Sequence, residues 1–208
     1  MKCIILAAGY ATRLYPLTEN FPKPLLEIGH STILGRMLDD IDTIPEVTEH
    51  IIVTNGKFAP IFGQWAAERT GEGCDTGSLR FAHPSHCAPS ELAGPSRSCG
   101  HGRPQAPVSP PAPVKPVRVL DDGTFTNETR LGAVRDLLLA IDKYQLEEDL
   151  LVVAADNILD FSFRGFVEEF HRKGTSMIMC HHEPEVYKLQ RTGVIEVDAD
   201  MRVLQMQE

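Results

Sequence analysis

Long hydrophobic runs are missing from this 208-residue sequence. None approaches the roughly 18 residues that a membrane-spanning helix needs. The opening Met1-Lys2 leads into only a short small-residue stretch, Cys3 to Gly9, too brief for a secretory leader. Positive charge is also scarce, 20 Lys and Arg against 29 Asp and Glu for a formal net charge of −9. That balance speaks against a nucleic-acid or anionic-membrane surface, although an acidic chain can still hold an anion in a local basic cleft. The five cysteines are odd in number and irregularly spaced, which is no disulfide framework. No internal repeat is visible. The expectation is a cytoplasmic protein with reduced thiols. Hydrophobic residues at 42% supply enough apolar mass for a genuine core.

What is present falls into three stretches. From Met1 to about Thr70, strand-like and helix-like segments alternate. Cys3-Ile4-Ile5-Leu6-Ala7-Ala8 and Ile51-Ile52-Val53-Thr54 are apolar runs of the kind that form strands covered on both faces. Ser31-Thr32 can cap a helix carrying Ile33, Leu34, Met37, Leu38 and Ile41 at helical spacing. Phe58 to Glu68 reads as a second helix, with Phe62 and Trp65 on one side. Gly71 to Pro116 holds nine of the fifteen prolines, three of the five cysteines and no isoleucine. A segment so poor in buriable residues cannot offset its ordering entropy, so 71–116 is expected to be a disordered insertion. From Val117 the alternation resumes. Val117 to Leu120 and Leu150 to Ala155 read as strands, the second buried. Leu131, Val134, Leu137, Leu138 and Ile141 mark a helix face. Ser162 caps a helix with Phe163, Phe166, Val167 and Phe170, Met177 to Cys180 is strand-like, and Val194–Asp198 with Arg202–Gln207 forms a hairpin. The pattern predicts an α/β fold with a mostly parallel mixed sheet.

Chemistry concentrates after the first strand. Leu6-Ala7-Ala8-Gly9 and the following residues would leave the carboxyl edge of the sheet, where ligands bind in open α/β folds. Small residues there let backbone N–H groups approach a phosphate as a concave nest. Arg13 adds a planar donor fork and Lys23 a compact positive charge. The loop is neither a Walker A sequence nor a dinucleotide fingerprint.

Three pieces, Thr12-Arg13, Pro16-Leu17-Thr18 and Pro22-Lys23-Pro24, resemble the signature of the sugar-phosphate nucleotidyltransferases. Ala8-Gly9 stands at the usual glycine pair and Ala11 at the next glycine, a mild replacement provided these positions do not demand a positive φ. Asp156-Asn157 matches the family's Gly-Asp-Asn, with Ala155 in the glycine place. Arg130-Leu131-Gly132-Ala133 is similar to its Leu-Gly element, although Arg135 replaces a second glycine. Thr192-Gly193-Val194-Ile195-Glu196 and Met206-Gln207-Glu208 resemble two sugar-site segments.

The resemblance implies a Rossmann-like three-layer sandwich. It also implies a single domain over 1–208, interrupted at 71–116 and incomplete at its carboxyl end. The implied reaction is attack of a sugar-1-phosphate on a nucleoside triphosphate, giving a nucleotide-sugar and pyrophosphate. Arg13 and Lys23 would be catalytic. Leu6, Ala7, Ala8, Gly9, Thr12, Arg13, Lys23 and Gly132 would bind the nucleotide. Asn157, Gly193 and Glu208 would meet the acceptor, and Asp156 would hold Mg²⁺. With one carboxylate, this chain is expected to be weakly active or inactive.

Two other readings stay open: cytidylyl transfer to a phosphorylated alcohol such as choline phosphate, and a non-catalytic regulatory or assembly homologue. A homo-oligomer is compatible with all of them. Cys74, Cys87, Cys99, His83, His86 and His101 lack the close Cys-x-x-Cys spacing of structural zinc and are read as unligated. Cys180-His181-His182-Glu183 is read as loop surface.

Overall fold

The structure is a computed structural model and describes residues 1–71, 112–190 and 192–207. Most of the insertion at 71–116, the cysteines and histidines within it, and Glu208 lie outside the described residues. The described chain divides into two compact units, Met1–Phe166 and Val167–Glu208.

The first unit is built on a four-stranded parallel sheet in the order β5-β4-β1-β6. Its strands are β1 (Lys2–Leu6), β4 (Glu49–Thr54), β5 (Val117–Asp121) and β6 (Leu150–Ala154). A two-stranded antiparallel ribbon, β2 (Glu27–Ile28) with β3 (Ser31–Thr32), lies between β1 and the first helix in the chain. The helices are α1 (Ile33–Asp42), α2 (Ala59–Thr70) and α3 (Ala133–Tyr144), and α4 (Phe163–Lys173) crosses the boundary between units. The apolar runs form the strands as expected, because central strands of a parallel sheet bury both faces. Every residue of β4 is buried.

Side-chain alternation sorts the helices into layers. Ile4, Ile51, Val53 and Leu120 project to one face and pack with Ala140, Leu137, Ile141 and Tyr144 of α3. His50, on the opposite face of β4, reaches Asp42 at the end of α1, and Asp42 in turn holds Arg69 of α2. One helix therefore covers one face and two cover the other. Thr32 caps α1, its Oγ1 accepting from the Gly35 amide at 2.9 Å, as the Ser-Thr pair suggested.

Three expectations are corrected. The α3 face expected to include Val134 and Leu138 is rotated, leaving these residues 71% and 51% exposed. The overlapping stripe 137-140-141-144 has the same helical spacing, and the small Ala140 lets the helix approach the sheet closely. β6 is not covered on both faces: Val152 is 41% exposed, β6 being one of the two edge strands of the sheet. Met177–Cys180 forms no strand among the described residues. In the second unit, β7 (Val194–Val197) and β8 (Val203–Gln207) form the expected hairpin, preceded by the short α5 (Val186–Leu189). The hairpin is a separate two-stranded sheet.

The most buried polar network lies at the amino edge of the sheet. His50 Nε2 donates to Asp42 Oδ1 at 2.7 Å, and Arg69 Nη2 donates to Asp42 Oδ2 at 2.7 Å. Burial pushes the Asp42 carboxyl up, but the hydrogen bonds and charges of His50 and Arg69 outweigh it, so its pKa lies below the ordinary 3.8. A depressed acid stabilises the fold above its unfolded pKa and loses that contribution as pH falls through the folded one. We expect Asp42→Ala to lower stability by about 3–5 kcal/mol at neutral pH, read from urea midpoints. In the wild type the pair's contribution should fade only below about pH 4, near the ordinary aspartate pKa; a midpoint of the variant equal to wild type at pH 7 would refute this.

Candidate active site

The four strands end in step. Leu6 pairs with Val53 and with Ala154, and Val53 with Leu120. The segments following β1, β4, β5 and β6 therefore leave the sheet side by side at its carboxyl edge. Two backbone bonds continue the ladder past the strands: Ala7 N–H donates to the Val53 carbonyl at 2.8 Å, and Ala155 N–H to the Leu6 carbonyl at 3.0 Å. Leu6 and Ala7 thus spend their backbone groups on the sheet, leaving the loop beyond them for a ligand.

In that loop the carbonyls are turned inward. The Ala8 carbonyl accepts from Asn55 Nδ2 at 3.1 Å, and the Ala11 carbonyl from Thr18 Oγ1 at 2.8 Å. Both donors are fully buried. The amides of Ala8, Gly9, Tyr10, Ala11 and Thr12 have no acceptor among the described residues. Successive unpaired N–H groups are the makings of an anion nest. A Cβ built on Gly9 would meet nothing within 4 Å, so open space lies over the loop there.

Ala11 sits at φ 47°, ψ 39°, in the left-handed region. The proviso attached to the alanine replacements fails at this position: the backbone takes the positive φ that glycine would occupy without strain. From Ala11 the chain makes a 3₁₀ turn, Thr12–Leu14, which presents Arg13 to solvent with no partner among the described residues.

Lys23 begins a second 3₁₀ turn, Lys23–Leu25, whose Pro24 and Leu25 are buried. Burial of the two residues after it fixes the lysine at the edge of the site. Its Nζ lies 2.9 Å from Asp156 Oδ2, across 133 residues of sequence. The side chains are 30% and 51% exposed, so the pair is worth at most about 1 kcal/mol. Asn157 instead lines a cleft of about 320 Å³ with Arg36, Asp40 and Phe161, between α1 and the segment after β6.

The loop after β5 supplies Gly132, at φ 88° immediately before α3, a conformation that only glycine takes without strain. Gly193 lies in the second unit. Thr124 ties this loop to the others. Its carbonyl accepts from Gly56 N–H at 2.8 Å, its hydroxyl donates to Asp122 Oδ1 at 2.8 Å, and Tyr10 Oη lies 3.4 Å from that hydroxyl. Phe125 covers Gly56 so closely that an added Cβ would stand 2.6 Å from its ring.

Beside this network Asp122 Oδ2 and Asp136 Oδ1 are buried without partners. Burial, then the neighbouring Asp122 charge, raises the Asp136 pKa to about 6. Tyr10, Asn55 and Asp136 were not legible as site residues. Asn55-Gly56 reads as a strand-closing turn, and Asp136 falls in the polar phase of a helix.

For Mg²⁺ the donor set is one carboxylate, Asp156. No group of three or more His, Cys, Asp or Glu suited to a metal occurs among the described residues. One carboxylate fits an ion whose remaining ligands are phosphate oxygens and water, the usual manner for magnesium. No helix among the described residues is long and apolar enough to cross a membrane.

Residues 2–82 match the nucleotidyl transferase family. That stretch, well under half of the chain, includes the loop after β1, Arg13, Lys23 and Asn55. Named relatives are similar to this chain over short stretches. The bifunctional protein GlmU of Methanococcus aeolicus is 52% identical over 46 residues, 22% of this chain and 11% of that protein. A mannose-1-phosphate guanyltransferase of Candida albicans is 38% identical over 55 residues, 26% of this chain and 15% of that protein. The matched stretches thus span well under a fifth of these relatives' lengths. A solved Bacillus anthracis structure, described as a glucose-1-phosphate thymidylyltransferase in complex with a sucrose, shares the fold. It has a TM-score of 0.60 and 18% identity, covering 100% of this chain and 64% of that one.

An acid with a raised pKa weakens the fold as pH climbs from its unfolded toward its folded value, and the penalty is complete above the latter. For Asp136 that window runs from the ordinary 3.8 to about 6. Asp136→Asn is expected to flatten the decline across that window and to raise stability at pH 8 by on the order of 2 kcal/mol, measured by urea unfolding. A variant as pH-dependent as wild type would contradict it.

Proposed function

We propose that this protein transfers a nucleotidyl group from a nucleoside triphosphate to a sugar-1-phosphate. The observation that carries the reading is the delivery of Lys23, within Pro22-Lys23-Pro24, to 2.9 Å from Asp156. The sequence resemblance implies one site for these two residues, and their contact across 133 residues of sequence supports that reading.

In the reaction, a phosphate oxygen of the sugar-1-phosphate forms a bond to the α-phosphorus. The bridging bond to the β-phosphate breaks, and its electron pair leaves with pyrophosphate. Such in-line displacement depends chiefly on positioning and charge neutralisation. The free amides of residues 8–12 would hold triphosphate oxygens. Arg13, exposed and without a partner among the described residues, would meet the charge that develops on departing pyrophosphate.

Lys23 has two partners to choose between. In the unliganded site it neutralises Asp156; an arriving phosphate would draw its ammonium away at small cost, since the exposed pair is weak. Asp156 would then be free for Mg²⁺, which neutralises phosphate charge when bound. With a single carboxylate, the protein's own hold on the ion is weak and turnover is expected to be low.

Pyrophosphate release, screened with four nucleoside triphosphates against sugar-1-phosphates and choline phosphate in the presence of Mg²⁺, tests the reading. Release with a sugar-1-phosphate supports it. Release with choline phosphate alone would replace it with alcohol-phosphate transfer, and none with any pair would favour a non-catalytic role. Arg13→Ala is expected to lower turnover about a hundredfold or more. Its urea midpoint should stay unchanged, since the side chain is exposed and makes no contact that the fold needs.

A further inference from the structure

Asn55 stands where three segments meet, yet its place in the sequence suggests only the end of a strand. It is fully buried. Its Oδ1 accepts from Phe58 N–H at 3.0 Å, and its own carbonyl accepts from Ala59 N–H at 3.0 Å, which fastens it to the start of α2. Its Nδ2 donates to the Ala8 carbonyl at 3.1 Å. The side chain therefore has one end fixed to the scaffold and the other on the loop after β1.

A peptide unit has its carbonyl and N–H on opposite sides, so a carbonyl held inward turns the next amide outward. The Ala8 carbonyl, drawn in by Asn55, turns the Gly9 amide toward the open space above the loop. We propose that Asn55 is the positioning residue of the anion-binding loop, setting its amides for the triphosphate from behind without touching the ligand. This deepens the assignment of the loop to the triphosphate and rests on it. Thr18 holds the far carbonyl of the same loop and cannot replace Asn55, because the two act on opposite ends of Ala8–Ala11.

Asn55→Asp tests this, because aspartate has nearly the shape of asparagine. As the neutral acid it can still donate to the Ala8 carbonyl; once ionised it can only repel it. Burial raises the pKa of such a carboxyl, placing the change between pH 5 and pH 8.5. Asp136, whose pKa of about 6 lies inside this window, and the other nearby titratable groups (Tyr10, Lys57, Asp121 and Asp122) are common to both proteins, so variant-to-wild-type ratios isolate residue 55.

Two readouts are taken on the full chain at both pH values: NMR order parameters of the residue 8–12 amides, and calorimetric affinity for inorganic triphosphate. At pH 5 the variant should match wild type in both. At pH 8.5 its order parameters should fall from about 0.85 toward 0.6, and its affinity should fall at least tenfold relative to wild type. Unchanged order parameters at pH 8.5 in a folded variant would overturn the inference, as would equal loss at both pH values. Should the aspartate variant unfold at pH 8.5, Asn55→Ser serves instead. Its hydroxyl can accept from Phe58 N–H but falls short of the Ala8 carbonyl, so the loop should loosen at both pH values, and a rigid loop would overturn the inference. Failure of the functional assignment looks different: wild type would bind no triphosphate at either pH, while the order parameters still responded to residue 55.

Discussion

Four parallel strands that finish level with one another are the constraint on which the site depends. β1 lies between β4 and β6, and Leu6 pairs with Val53 on one side and Ala154 on the other. With that register, the small-residue loop, Asn55, the Thr124 turn and Asp156 emerge on a common edge. A shift of one residue in any strand would turn its inward side chains to the opposite face and separate the pieces.

Assembly of the site is consequently non-local. Lys23 and Asp156 are 133 residues apart, and the bond between them is too exposed to bring them together. The contact depends on the pairing of β6 with β1, which brings the segments after the two strands to the same edge. Stability and chemistry are also separated in space. The buried Asp42 network secures the amino edge, whereas the Lys23–Asp156 pair lies half-exposed at the carboxyl edge.

Much of this was legible in the amino-acid sequence for definite physical reasons. Apolar runs identify the strands, the Ser-Thr cap and helical stripe identify α1, and Thr12-Arg13 with Pro22-Lys23-Pro24 single out two cations that follow β1 in the chain. What escaped depends on tertiary context. The α3 stripe has two overlapping solutions at the same spacing, and only the sheet chooses between them. Met177–Cys180 has strand-like composition, but a strand also needs a neighbour. Asn55 and Asp136 owe their properties to what surrounds them: the first to a carbonyl 47 residues away, the second to burial beside Asp122.

The left-handed Ala11 also affects how tightly the loop can grip. Alanine in this conformation costs roughly 1–2 kcal/mol that glycine would not incur. Its methyl group therefore favours release of the loop, and the hydrogen bond from Thr18 opposes that release. Occupancy by an anion draws only on molecules whose loop is already in the held shape, so apparent affinity scales with their fraction. If the loop binds an anion as proposed, a single methyl group at this position would act as a gain control set by the backbone alone.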